Sequence, residues 1–311
     1  LSNKISPIMC GGLGNNLFQI ATSLSYAKDI GCDTIFGYWT SFNSKHKLPE
    51  DHISDWAGQP NPYFGKKWGG WKTKDASVAI NTIFPKLNWF ENPDPTVDGP
   101  FNTTNEEFHW SFEIDTGTGG IYEPFNFGTG TQFYGYFFNK KYWHHNRQYI
   151  LDSLEFNQKD IDYINTTYGH YLELDPVSIN IRVQDPTIAS EQEFHDRDAY
   201  INQSEFVLKA LRIFGTRRFY IVTTNDIQKT KEVFKQDERF DSYHFIFIEE
   251  DFHRQMMITS LCKDHILTNS TFSFWAVYLN KNIEDSVVVY DKTFEDQHSS
   301  EMVPYENWIK L

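Results

Sequence analysis

The chain has 311 residues with 28 basic and 42 acidic side chains, a formal charge of −14. Such a length buries enough apolar surface for two domains, and the acidic balance without a basic stripe excludes a nucleic-acid-binding surface. Three widely spaced cysteines, Cys10, Cys32 and Cys262, make neither a disulfide framework nor a zinc motif, and no apolar run approaches the roughly 20 residues of a membrane span.

In chain order, the first feature is SPIMCGGLGNNLFQIATSLSYAKD. Ile8, Met9 and Cys10 suit the end of a buried strand, and from Leu17 onward apolar residues recur at helical spacing. Gly11, Gly12 and Gly14 therefore fall in a strand-to-helix turn, where close backbone approach to a ligand is useful. The spacing is not a dinucleotide fingerprint, because Leu17 stands where a third glycine is required, and no Lys-Ser or Lys-Thr follows at phosphate-loop spacing. Asn15, Asn16 and Gln19 bring uncharged amides that hydrogen-bond sugar or phosphate oxygens equally well. A tight turn with an Asn cap is the competing reading.

A second strand is expected over 33–40. From about 43 to 130 the pattern dissolves into Pro, Gly, Asn, Asp and aromatics, with Trp56, Trp68, Trp71, Trp89 and Trp110 as flat faces for sugar stacking or as small satellite cores. GYFFNKKYWHHNRQYILDSLEF then reads as an aromatic strand leading into a helix. Beyond residue 170 the alternation is regular. Strands are expected at 177–183, 218–224, 244–250, 264–269 and 285–291, with helices at 204–214, 226–236, 251–263 and 270–280. Strictly alternating strands and helices predict a doubly wound parallel sheet that binds its ligand at the carboxyl ends of the strands.

Three strand ends carry chemistry. After 264–269, Ser270, Thr271, Phe272 and Ser273 open a helix whose dipole, N–H groups and hydroxyls suit an anion, although an ordinary Ser/Thr cap has the same composition. In SINIRVQDP, Arg182 points toward the end of its strand with Asp185 three residues on. The guanidinium either grips a diphosphate through paired hydrogen bonds or forms a structural pair with the aspartate. At FYIVTTNDIQ, Thr224, Asn225 and Asp226 either cap the next helix or meet a base or ribose edge.

These segments, with the closing VPYENWIKL, resemble in order and over nearly the whole chain the landmarks of the α-1,2-fucosyltransferases, glycosyltransferase family 11. The resemblance is most specific at the glycine-asparagine loop and at NSTFSFW. It implies an α/β fold of GT-B type, with two Rossmann-like domains facing across a cleft, here residues 1–170 on the acceptor side and 171–311 on the nucleotide-sugar side. It further implies GDP-fucose as donor, an oligosaccharide acceptor, inversion at the anomeric carbon and no metal or other cofactor. Gly12, Gly14 and Asn15 would face the donor, Asn180 and Arg182 and the helix start at 270–273 would receive its diphosphate, and Thr224 and Asp226 its nucleoside end. Catalysis would rest on Arg182 and Asn15, with Asp185 as base or as the group that orients Arg182.

The chain departs from the family where members read His-Ile-Arg-Arg-Gly-Asp and it has Asn180-Ile-Arg-Val-Gln-Asp. Alternation along the strand sets Val183 opposite Arg182, so an arginine at 183 is expected to add only a screened, exposed charge. Asn180 shares the Arg182 face, and a histidine there is expected to add a pH dependence near 6–7. The altered motif leaves two alternatives, another nucleotide sugar on the same fold or a non-catalytic glycan- or nucleotide-binding module. Cysteine usage and the unremarkable N-terminal residues lead to the expectation of a cytoplasmic protein of bacterial or viral type, with a trimmed Golgi-lumenal domain as the less favoured case.

Overall fold

The computed structural model of the chain describes residues 3–7, 13–36, 83–88, 109–115, 120–183 and 199–311. Gly11, Gly12, Asp185 and Trp56, Trp68, Trp71 and Trp89 lie outside the described residues. Chain contacts divide the molecule into two units. The first takes the described residues up to Asn157 together with Glu295–Pro304, and the second takes Gln158–Phe294 and Tyr305–Leu311.

The first unit is built on β1 (Lys4–Pro7), α1 (Leu13–Ile30), β2 (Asp33–Thr34), β3 (His109–Asp115), β4 (Thr131–Gly135) and α2 (Arg147–Ser153). Its strands pair in parallel in the order β2-β1-β4-β3. Leu17, Phe18, Ile20 and Ala21 of α1 are fully buried, and Phe18 meets Phe138 and Trp143 at ring centroids of 5.1 and 5.7 Å. The strand expected in GYFF lies earlier, in TQFYG, because the helical turns of 140–146 begin immediately after Asn139, whose side chain caps them by accepting from Lys141 N at 3.0 Å. Of the strand expected over 33–40, Asp33–Thr34 pairs with β1. The returning segment 295–304 is tied in by Lys140 Nζ donating to Val303 O at 3.2 Å. Gly120 takes φ +57°, and a Cβ there would fall 2.2 Å from Ser299 Oγ.

The second unit contains α3 (Gln158–Leu172), β5 (Val177–Ile181), α4 (Ala199–Phe214), β6 (Phe219–Thr224), α5 (Ile227–Gln236), β7 (His244–Ile248), α6 (Phe252–Leu261), β8 (Asp264–Leu267), α7 (Thr271–Tyr278), β9 (Val288–Tyr290) and β10 (Ile309–Lys310). The position near residue 170, where the sequence suggests a boundary, lies in the last turn of α3. All pairings are parallel, in the order β10-β9-β8-β5-β6-β7. The chain starts at β5, winds outward through β6 and β7, then returns to β8 on the other side. This is the doubly wound arrangement, with its topological switch point between β5 and β8. Val177, Ile179 and Tyr220 pack with Val207 and Leu211 of α4 in a core where each is fully buried, which is why these strands read as near-continuous apolar runs.

Candidate active site

The switch point brings together residues that are far apart in sequence. β5 ends at Ile181, so Arg182 stands in the first position past the strand, half-buried. β8 ends at Leu267, and α7 begins four residues later. In open α/β sheets the crevice outside the carboxyl ends at such a point is where ligands bind.

Beneath it lies a buried amide–hydroxyl network. Asn180 donates from Nδ2 to Thr223 Oγ1 at 2.9 Å, and its Oδ1 accepts from Ser273 Oγ at 2.5 Å. Thr268 Oγ1 donates to the Asn180 carbonyl at 2.5 Å and lies 3.4 Å from Ser273 Oγ. Thr223 Oγ1 is in turn 3.4 Å from Thr259 Oγ1 of α6. Every member is buried, so the network joins β5, β6, α6, β8 and α7 where each unmade bond would be costly. Asn180 is thus a structural amide beneath the crevice rather than an accessible ligand. Ser273 is committed to the same network, whereas Thr271 is half-buried.

Ser270 occupies the N-cap of α7 with extended backbone, φ −156° and ψ 132°, yet its side chain makes no capping hydrogen bond. The ordinary cap is therefore not formed, and the N–H groups of the first turn are not satisfied by it. Asp226 behaves differently. It is the N-cap of α5 and accepts from Lys229 N at 3.1 Å. Thr224 Oγ1 accepts from Asp226 N at 3.2 Å and lies 2.9 Å from Thr230 Oγ1. The capping alternative describes these two side chains.

Asn225, between them, does something the sequence reading did not anticipate. Its Oδ1 accepts from Val183 N at 2.6 Å and its Nδ2 donates to Val183 O at 2.7 Å. Ladder pairing of β5 with β6 stops at Ile181–Thr224, and the carboxamide supplies the next rung. Val183 is 5% exposed and belongs to the core, so the expectation of an open position there is corrected. Regular pairing ends at Ile181, yet the alternation runs on, and Val183 joins Val177, Ile179 and Ile181 in the apolar core, so it takes the face that alternation expects but is buried there rather than exposed. Polar residues inside otherwise apolar strands, Asn180 and Thr223, and Thr268 just past the end of β8, were the signal available for this network.

In the first unit, the helix begins at Leu13 rather than near Leu17, which places Gly14 and Asn15 in its first turn instead of in a preceding loop. Asn16 is buried and donates from Nδ2 to Gln19 Oε1 at 3.2 Å, and Gln19 Nε2 donates to Gly135 O at 3.0 Å. These amides tie α1 to the end of β4. Asn15 is half-buried.

A second cation, Arg254 of α6, is held by carboxylates from Asp160 at 2.9 Å and Glu250 at 3.3 Å, and its guanidinium carbon lies 4.1 Å from the Tyr163 ring centroid. Burial lowers the pKa of the adjacent His253. Among the described residues, no group of three or more His, Cys, Asp or Glu side chains is placed to hold a metal ion, and no helix is long and apolar enough to cross a membrane.

A glycosyl transferase family 11 model matches residues 120–311, more than half of the chain and the whole of the doubly wound sheet. The chain belongs to glycosyl transferase family 11. It is a glycosyltransferase. Among solved structures, the chain is similar to a NodZ α-1,6-fucosyltransferase soaked with GDP-fucose, at 10% identity, covering 90% of this chain and 93% of that one, with a TM-score of 0.48. It is also similar to POFUT1 in complex with GDP-fucose, at 13% identity, 91% and 95% coverage and a TM-score of 0.44. A variant of Arabidopsis thaliana FUT1 in complex with GDP aligns at 12% identity, 90% and 69% coverage and a TM-score of 0.43. No curated protein matches the chain significantly in sequence.

Proposed function

We propose that this family 11 glycosyltransferase moves fucose from GDP-fucose to a hydroxyl of a glycan acceptor, with inversion at the anomeric carbon and α-1,2 linkage, across a cleft between two Rossmann-like domains. The observation that carries the reading is the placement of Arg182 at the switch point, just past β5 and across from the uncapped start of α7. An arginine binds a diphosphate through parallel charge-assisted hydrogen bonds, and helix-start N–H groups receive the same anion. An inverting displacement with oxocarbenium character needs its leaving group stabilised more than it needs a strong base. Arg182, the α7 N–H groups and the Ser270 and Thr271 hydroxyls supply that stabilisation as the bond to the sugar breaks. Asp185 serves either as the base or as the partner that orients Arg182. Asn15, in the first turn of α1, contacts the sugar or its phosphates.

A thermal-shift series with GDP, UDP, CMP and dTDP sugars tests the donor. Stabilisation by GDP-fucose above the others is expected, and preference for another nucleotide would replace the donor while keeping the fold. Hydrolysis of each donor supplied alone separates a transferase from a binding module. Arg182→Ala should abolish transfer and weaken GDP binding roughly ten- to a hundred-fold, the worth of one charge-assisted bond. EDTA should leave turnover unchanged, and activity restored by Mg²⁺ or Mn²⁺ after chelation would show that the cation is not Arg182 alone.

A further inference from the structure

Building on that reading, we infer that Asn225 is a positioning residue for Arg182. Arg182 is the first residue past β5, and both of its flanks are fastened by side chains. On the amino side the Asn180 carbonyl accepts from Thr268 Oγ1, and the Asn180 carboxamide is held by Thr223 and Ser273. On the carboxyl side both polar backbone groups of Val183 are taken by the Asn225 carboxamide, at 2.6 and 2.7 Å. A primary amide has the same donor and acceptor as a peptide unit, so it can add one rung to a parallel ladder after its own strand has bent away. Only one orientation of the amide satisfies both bonds. With residues 180 and 183 immobilised, the backbone of Arg182 has little freedom, and the guanidinium is delivered to the crevice from a rigid mount. Small displacements of a catalytic cation are expensive, because preorganisation is what lets it act without reorganising at the moment of bond breaking.

The clamp is a two-atom match that other side chains do not reproduce. Alanine removes both bonds. Aspartate keeps an acceptor for the Val183 N–H but sets a carboxylate against the Val183 carbonyl, so Asn225→Asp tests the same claim in a side chain of unchanged volume.

The experiment is a double-mutant cycle on GDP affinity by calorimetry, with Asn225→Ala, Arg182→Ala and the double variant, alongside transfer kinetics and melting curves for each protein. Asn225→Ala is expected to lower kcat by on the order of tenfold and to weaken GDP binding by a smaller factor. That weakening should disappear in the Arg182→Ala background, since coupled residues are not additive. Asn225→Asp should follow alanine. A purely structural role predicts a lower melting temperature, unchanged kcat per folded molecule and additive effects, and would overturn the inference. Unfolding of both Asn225 variants would overturn it as well. If Arg182→Ala itself leaves GDP binding and turnover intact, the functional reading of Arg182 fails, and the inference with it. If Arg182→Ala is crippling while Asn225→Ala is silent or additive, only the positioning role is lost.

Discussion

Ser178 and Asn180 lie two residues apart in β5, so their side chains share one face of the same sheet, and each anchors a buried polar cluster of opposite character. Ser178 Oγ is 2.7 Å from His265 Nδ1, while Asn280 Nδ2 donates to His265 Nε2 at 2.9 Å. With Nε2 accepting, Nδ1 carries the proton, and the imidazole is neutral. Burial alone lowers its pKa to about 3. That cluster is closed. Asn180, one pleat further toward the carboxyl end, sits in a cluster of hydroxyls directly beneath Arg182 and the uncapped α7 start. Polar groups within an apolar strand are therefore no guide to a site by themselves. What separates the two is position, because the His265 cluster closes on itself within the sheet whereas the Asn180 cluster lies at the carboxyl end of β5, next to the residues that follow it.

The largest expected effect comes from breaking the assumption that the open end extends past residue 182. Val183→Arg places a guanidinium in the second unit's core and should lower unfolding stability by about 3 kcal/mol or more, measured by denaturant titration. A variant of wild-type stability with improved donor affinity would return Val183 to the crevice. Next, His265→Leu and Asn180→Leu each leave buried partners unmatched and should each cost about 2–3 kcal/mol. They should part in function. His265→Leu keeps wild-type turnover per folded molecule, and Asn180→Leu loses donor affinity. Equal effects on turnover would abolish the distinction between the clusters.

A smaller effect separates them by pH. The folded pKa of His265 lies below its unfolded value of about 6.5, so the unfolded chain binds the proton more readily. Its contribution is fully present above that value and is lost as pH falls toward 3. The slope is at most about 1.4 kcal/mol per pH unit. Denaturation of wild type and His265→Leu between about pH 7 and 5 should show a shallower acid loss in the variant, because carboxylate contributions are common to both. His144 in the first unit, lowered to about 4 by burial and by Arg147, pushes wild type and variant alike in the same direction. The smallest effect concerns Asn180→His. The sequence led to an expected pH step near 6–7, but the site is buried and its neighbours are neutral hydroxyls and an amide. An imidazole there stays uncharged, as His265 does, and donor affinity should show no added step across about pH 5.5–8.5.

By itself the sequence determined the alternating architecture from Val177 to Tyr290, because a parallel sheet buried on both faces writes its strands as apolar runs and its helices at period 3.6. It also determined which residues fall at the strand ends, including Arg182 and the Ser270–Ser273 helix start, and the family. Helix α3 escaped that reading, since Thr166, Thr167 and Gly169 look like a turn, and the exposed face of α3 leaves only a thin apolar stripe. Tertiary structure alone decided what the polar side chains do. Whether Asn180 is accessible and what Asn225 clamps depend on strand order and on the residue at which pairing stops. These are long-range hydrogen bonds between residues some 40 to 90 positions apart, and no local periodicity encodes them.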